Sequence, residues 1–279
     1  MISTQLFTIH DALDRYGGFV RYYDTTEPMR QLAKIISTEA CTNILACCGG
    51  GNQALTILGS SPIIRFLYAV DTNEAQLFTL AGKALFLKEK RRLPSFKELT
   101  QTYPGKIAAV KKNIRRLFHF QLQHSITKKK IMLPQKLSKS YSLIIDDGLF
   151  VLAKDNLFWQ KEPQFISQIC NNVNRLRFIH GDIFDCSNYF RKGFLDVIYL
   201  SDIYWQEKLD YYQIKARKLV DLLCLGGRVI CHIDPGDEFM GKGISPGQIF
   251  KEQAKQMHLQ FILYPEVKDY LVFKRMKKA

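Results

Sequence analysis

Residues 43–76 constrain this chain more than any other stretch. They read N-I-L-A-C-C-G-G-G-N-Q-A-L, a short connection, then R-F-L-Y-A-V-D-T-N-E-A-Q. One apolar run ends in Gly49, Gly50 and Gly51, and a second ends in an acid, Asp71, twenty residues past Gly51. That order is strand, tight turn, helix, strand, the nucleotide-binding βαβ unit. Glycines let the backbone turn sharply and approach a ligand closely. The helix that follows offers unpaired N–H groups and the positive end of its dipole. An acid at the end of the second strand suits the two hydroxyls of a ribose.

The glycine pattern excludes two common versions of that unit. G-x-G-x-x-G needs a third glycine near Ala54, and none is there. No Lys-Ser or Lys-Thr pair follows the glycines, which excludes a phosphate-cradling P-loop. What remains is a loop for a nucleoside without a pyrophosphate, set against the plainer reading of a tight turn in any α/β protein.

At 279 residues with 47% hydrophobic content, the chain suits one large or two small globular domains. No apolar run approaches a membrane span, and the N-terminus lacks the basic-then-apolar order of a signal peptide. Cytoplasmic location is expected, with peripheral attachment to a membrane as a further option. Seven scattered cysteines without a C-x-x-C spacing predict reduced thiols and no metal site. The net charge of +14 gathers at 88–92 (K-E-K-R-R), 111–116 (K-K-N-I-R-R), 128–130 and 274–278. Such clusters favour an anionic membrane surface or, with less support, RNA. Solvated helix faces explain them equally well.

Along the chain, residues 1–40 read as a helical lead-in covering the ligand site, and 91–172 as a basic, helical inserted subdomain. The insertion carries an apolar patch, Y-S-L-I-I-D-D-G-L-F-V-L, that also admits a strand pair. Segments 41–90 and 173–279 form the nucleoside-binding domain. Strands are predicted at 43–48, 65–71, 176–180, 194–201 and 228–233, with helices at 52–59, 74–90 and 209–223. Asn73 caps the 74–90 helix with Gln76 in capping-box spacing, and Gly226-Gly227 ends the 209–223 helix. Residues 258–275 read as two strands around a turn. The fold class is α/β: a doubly wound, mostly parallel seven-stranded Rossmann-like sheet with an antiparallel edge and a helical insertion.

Five features in order resemble class I AdoMet-dependent transferases. They are the glycine loop, Asp71, the acid of H-G-D-I-F (Asp182), the strand ending L-S-D at Ser201, and the G-G-R that starts the fifth strand. A narrower resemblance, to the bacterial diacylglycerol 3-amino-3-carboxypropyltransferases of betaine-lipid synthesis, lies in D-x-N-x-x-Q at 71–76 and S-D-x-x-W at 201–205. The long insertion is similar too. The resemblance implies S-adenosyl-L-methionine (AdoMet) as cofactor, with Asp71 on its ribose and Asp182 beside its adenine amine. Cys48, Gly49, Gly50, Gly51, Thr72, Asn73, Gln76, Gly181, Ile183 and Ser201 complete the expected cofactor lining. Helix capping is the plainer reading of Asn73 and Gln76.

AdoMet carries three carbons on a positive sulfur, and the site decides which one meets the acceptor. Transfer of the aminocarboxypropyl arm requires its carboxylate to be held. The lead-in R-Y-G-G-F-V-R-Y-Y supplies Arg15 and Arg21 for that carboxylate. Its Tyr16, Tyr22 and Tyr23 offer rings for the sulfonium, or else they are packing residues. Asp202, Tyr204, His232 and Asp234 lie at predicted strand ends, where a general base for a hydroxyl acceptor is wanted. Asp202 is the first choice, and a lone His such as His232 is more often structural than catalytic. The N/D-P-P-Y signature of amino-group methyltransferases is absent, which weighs against DNA adenine methylation. Three functions stand: arm transfer to a lipid or small-molecule acceptor, methyl transfer to RNA, protein or a small molecule, and a non-catalytic anionic-surface binder.

Overall fold

The structure is a computed structural model describing residues 6–20, 29–109, 144–146, 149–151, 158–201, 209–232 and 246–277. A lead-in of α1 (Ile9–Arg15), β1 (Gly18–Val20) and α2 (Met29–Ser37) precedes β2 (Asn43–Cys47), α3 (Asn52–Ser60), β3 (Phe66–Asp71) and α4 (Glu74–Lys90). Next come α5 (Phe96–Thr102), β4 (Ile107–Ala109) and a short antiparallel pair, β5 (Ile144–Asp146) with β6 (Leu149–Val151). The chain continues through α6 (Pro163–Asn172), β7 (Leu176–His180), β8 (Leu195–Tyr199), α7 (Leu209–Asp221) and β9 (Leu223–His232). It ends with α8 (Pro246–Gln253), β10 (Leu259–Ile262) and β11 (Tyr270–Arg275).

Seven strands form one sheet in the order β10-β11-β9-β8-β2-β3-β7. β2, β3, β7, β8 and β9 run parallel to one another, and β11 runs antiparallel to both β9 and β10. This is the doubly wound sheet expected from the sequence. The central strands β2 and β3 are buried on both faces, because their near-continuous apolar runs require cover on each side. One face packs residues of α1, α2, α3, α4 and α6 around Ile44, Ala46, Leu67, Ala69 and Phe178. The other packs Leu45, Tyr68, Val70 and Ile198 under α7, α8 and the single helical turn Ile183–Asn188.

α4 matches its expected limits. Asn73 caps it by accepting from the Ala75 N–H at 3.0 Å, and Arg91 closes it in the left-handed conformation. Three expectations are corrected. The predicted capping box does not form, because the Gln76 side chain reaches another part of the chain, described below. Gly226-Gly227 does not end a helix. α7 stops at Asp221 and β9 runs through both glycines, where its pairing with β8 shifts register. A Cβ on Gly227 would lie 3.0–3.2 Å from carbonyl oxygens of Cys224, Asp196 and Leu195, so a close backbone approach explains that glycine. The lead-in is not wholly helical: β1 pairs in parallel with β4.

Residues 158–172 pack tightly on α3. Trp159 is fully buried and donates its indole N–H to the Thr56 hydroxyl at 2.9 Å. Asn172 donates to the Leu58 carbonyl at 2.8 Å. Among the described residues no helix is long and apolar enough to cross a membrane. No cluster of metal-type ligands gathers among them either.

Candidate functional site

Strand order reverses at β2, which has β3 on one side and β8 on the other. In a sheet wound this way the crevice at the carboxyl ends of those strands takes the ligand. The chain leaves β2 through the glycine loop. The Cys48 N–H donates to the Val70 carbonyl at 2.8 Å, and the Gly51 N–H closes a turn onto the Cys48 carbonyl at 2.9 Å. Gly49 and Gly51 have φ of 50° and 87°, values that favour glycine. Gly51 is also needed for space, since a Cβ there would sit 3.1 Å from Cα and Cβ of Leu80 on α4.

Three side chains fix that loop from below. Asp71, at the end of β3, accepts the Gly49 N–H at 3.2 Å on one carboxylate oxygen and the Asn73 N–H at 2.9 Å on the other. Gln76 is 1% exposed and donates its amide to the Gly49 carbonyl at 2.6 Å. Lys83 is 0% exposed and donates its ammonium to the Gly50 carbonyl at 2.9 Å and to Asn52 Oδ1 at 3.1 Å. The Cys48 thiol, also enclosed, donates to the Gln76 carbonyl at 3.4 Å. Burial, reinforced by the Asp71 carboxylate, pushes this thiol well above its usual range, so it stays protonated at neutral pH.

β7 joins the site through its last residue. The Gly181 N–H donates to the Asp71 carbonyl at 3.0 Å. His180 lies 3.1 Å from the Thr72 carbonyl through Nε2 and 3.3 Å from Glu74 through Nδ1. A Cβ on Gly181, which has φ of 155°, would meet nothing within 4 Å. Asp182 accepts the Phe184 N–H at 2.9 Å and so caps the turn that follows. Ile183 is 3% exposed and packs in the core beneath that turn.

Tyr16, at the end of α1, reaches the same corner. Its ring stands edge-on to Phe7 at 5.7 Å and to His180 at 6.0 Å. Its hydroxyl is buried and has no hydrogen-bond partner among the described residues. Burial first, then the Glu74 carboxylate, push the phenol up to about 12, so it remains a neutral donor. Arg15 does not join it but stacks over the Phe7 ring at 4.6 Å.

Ser201 follows β8 with φ of 42°, a left-handed conformation that costs a non-glycine residue about 1 kcal/mol or more. His232 ends β9, is 6% exposed and stands edge-on to Tyr270 at 5.2 Å. Arg21, Tyr22, Tyr23, Asp202, Tyr204 and Asp234 lie outside the described residues. Among the sequence-selected residues, Cys48, Gly49, Gly50, Gly51, Asp71, Asn73 and Gln76 converge on one loop. Thr72, Gly181 and Tyr16 meet around His180. Sequence reasoning missed Lys83, although a signal was present: it lies seven positions after Gln76, two helical turns along one face of α4.

An AdoMet-type ligand fits these residues on two observations. An acid carries the loop at the end of β3, and the Tyr16 hydroxyl, unpartnered among the described residues, lies buried one strand away.

No protein-family model matches the chain, and no curated protein matches it. Similar solved structures include the N-methyltransferase NodS from Bradyrhizobium japonicum WM9 in complex with S-adenosyl-L-homocysteine. Identity is 12%, the TM-score 0.43, and coverage 89% of this chain and 86% of that one. An rRNA methylase from Streptococcus thermophilus has 12% identity and a TM-score of 0.43 over 91% of this chain and 99% of its own. Magnesium protoporphyrin IX methyltransferase from Synechocystis PCC 6803, with bound SAM, has 8% identity and a TM-score of 0.41 over 88% and 79%.

Proposed function

We propose that the chain is an AdoMet-dependent transferase that moves the 3-amino-3-carboxypropyl arm to a lipid or small-molecule acceptor. The observation that carries this reading is the glycine loop at the sheet's switch point, with its backbone tied to the acid of β3 at 3.2 Å. Asp71 would accept from the ribose hydroxyls, a carboxylate having room for about four hydrogen bonds in all. Asp182 and Gly181 would flank the adenine, and Tyr16 would donate its neutral hydroxyl to the nucleoside. AdoMet, when bound, supplies a positive sulfur bearing three electrophilic carbons.

For the arm-transfer version, support comes from the resemblance of D-x-N-x-x-Q at 71–76 and S-D-x-x-W at 201–205 to the aminocarboxypropyltransferases. Asp71, Asn73 and Gln76 all act on the loop or on the helix start behind it. The lead-in, which brings Tyr16 to the site, would cover the cofactor, and 91–172 would face the acceptor, drawn from an anionic membrane surface. Ser201 turns the chain out of β8 toward the segment holding Asp202 and Tyr204, the proposed base region. Purified protein incubated with AdoMet and total lipid extract should accumulate methylthioadenosine, detected by mass spectrometry. Attack on the methyl carbon would instead leave S-adenosylhomocysteine, and that product would move the assignment to methyl transfer.

A further inference from the structure

One part of the sheet is covered by rings where a helix would be expected. Parallel strands need cover on both faces, yet the crossover from β7 to β8 carries only the single turn Ile183–Asn188. Over the first residues of β3 and β7 the cover is aromatic. Tyr68 stands 4.7 Å from Phe190 and 6.1 Å from Phe194, and those two rings stack on each other at 5.6 Å and 9°. Phe66, Phe190 and Phe194 are half-buried. Two guanidiniums converge on Phe66, Arg65 at 5.7 Å and Arg177 at 4.9 Å from the ring centre. Arg177 is pinned there by donating to the Asn174 and Leu176 carbonyls at 2.9 and 2.7 Å, which uses two of its five N–H donors.

The elements that build this corner bring no acid to it. Residues 52–70, 163–181 and 186–195 contain neither Asp nor Glu. In the crossover, Asp182 caps its turn and Asp185 pairs with Lys215 at 2.8 Å. Burial pushes the Tyr68 phenol up, and the charges that act against that rise are the Arg177 and Arg65 guanidiniums. The phenol is thus a neutral hydroxyl between two cationic forks. Lys88, from the basic run 88–92, adds its ammonium at the start of β7, 3.3 Å from Asn174 Oδ1. We propose that this face binds single-stranded RNA, with Arg65 and Arg177 on its phosphates and a base against the Phe190–Phe194 stack. Cationic donors with no acid among them complement a phosphate, and ring faces beside a positive groove are how bases are held without sequence preference. The rings lie within the face and do not project, so they offer a bilayer no wedge. Phe66 begins β3 and Asp71 ends it, which puts the patch about 15 Å from the glycine loop at about 3.3 Å per residue. RNA held there is a partner and not the acceptor, and the inference is independent of the AdoMet reading.

Fluorescence anisotropy of the full chain with a labelled oligouridylate of about twelve nucleotides tests this. The double variant Arg65→Gln, Arg177→Gln should bind about tenfold more weakly at low salt. Its slope of log affinity against log salt should be shallower by about 1.4, about 0.7 for each lost phosphate contact. Lys251→Gln with Lys255→Gln removes the same charge from the exposed end of α8 and should change affinity by less than about twofold. Equal losses in the two double variants would show attraction to net charge alone and overturn the proposal. Wild type crosslinked to 4-thiouridine RNA gives a readout that needs no variant. Adducts on residues 66–68 or 190–194 support the site, and adducts confined to other segments overturn it. Flotation with phosphatidylglycerol vesicles covers the other anionic partner. Vesicle binding that is lost in Arg65→Gln, Arg177→Gln, with no retention of RNA by wild type, would overturn the proposal in favour of a membrane surface.

Discussion

Replacing Gly51 with alanine tests whether the loop is shaped by its contact with α4. The residue has φ of 87°, and an added Cβ would stand 3.1 Å from both Cα and Cβ of Leu80. Gly105 supplies the control: its φ is 75°, and an added Cβ there would meet nothing within 4 Å. Both substitutions carry the left-handed penalty of about 1–2 kcal/mol. Both recover about 0.4–1 kcal/mol through a stiffer unfolded chain. These terms cancel in the difference. What is left for Gly51→Ala is the collision with a helix backbone, which cannot move as a side-chain tip can, and overpacking of this kind costs about 1–3 kcal/mol. Urea unfolding followed by circular dichroism should therefore place Gly51→Ala about 1–3 kcal/mol below Gly105→Ala. The displaced loop would also strain the Gln76 and Lys83 hydrogen bonds to the Gly49 and Gly50 carbonyls. Binding of S-adenosylhomocysteine should then fall in Gly51→Ala and stay unchanged in Gly105→Ala. Equal unfolding free energies for the two variants would refute the argument.

Two further expectations follow from the same polar framework. Asp71→Ala should weaken adenosine binding by roughly 1–3 kcal/mol, because the Gly49 and Asn73 N–H groups lose their acceptor along with the ribose; calorimetry showing unchanged affinity would remove Asp71 from the site. Asp196 accepts both the N–H and the hydroxyl of Thr42, and the N–H of Asn43, at 2.7–2.8 Å. Burial alone would raise its pKa, but these hydrogen bonds outweigh burial and hold it below the ordinary 3.8. A depressed carboxylate stabilises the fold above its unfolded pKa and loses that effect as pH falls through the folded value. Asp196→Asn should consequently cost about 1–3 kcal/mol at pH 7, and its gap from wild type should close below about pH 4. A gap independent of pH would contradict the assignment.

The sheet was legible because its signals are local. Runs such as Ile44–Ala46 and Leu67–Val70 are too apolar to lie anywhere but between two layers, and turn glycines or an acid mark their ends. The errors have one physical source: a short-range rule lost to a long-range partner. Glycine pairs end helices and also admit close strand neighbours. At Gly227 the neighbour is the backbone of Leu195 and Asp196, which no local window contains. Gln76 had capping-box spacing from Asn73, but the Gly49 carbonyl at 2.6 Å is the better acceptor for an amide that is otherwise fully enclosed. Lys83 was hidden for the same reason. A lysine in an apolar helix reads as a surface residue until the fold sets two oxygens against it.

The D-x-N-x-x-Q segment takes on a different meaning once its partners are known. Asp71 holds the loop by a donor, Gln76 holds the same residue by its acceptor, and Asn73 fixes the first turn of the helix that carries Gln76. All three side chains act on the loop and its support, so the segment specifies the shape of a glycine loop. In the proposed reaction, the choice of transferred carbon would be a separate matter of where the acceptor enters. Ser201 is strained, at φ of 42° after β8, across the switch point from the loop. Strain of that kind persists only where surrounding structure holds it, and it concentrates where geometry serves chemistry. On the proposed reading, loop shape and acceptor approach would be encoded on opposite sides of β2, and variants on the two sides should separate cofactor affinity from the identity of the product.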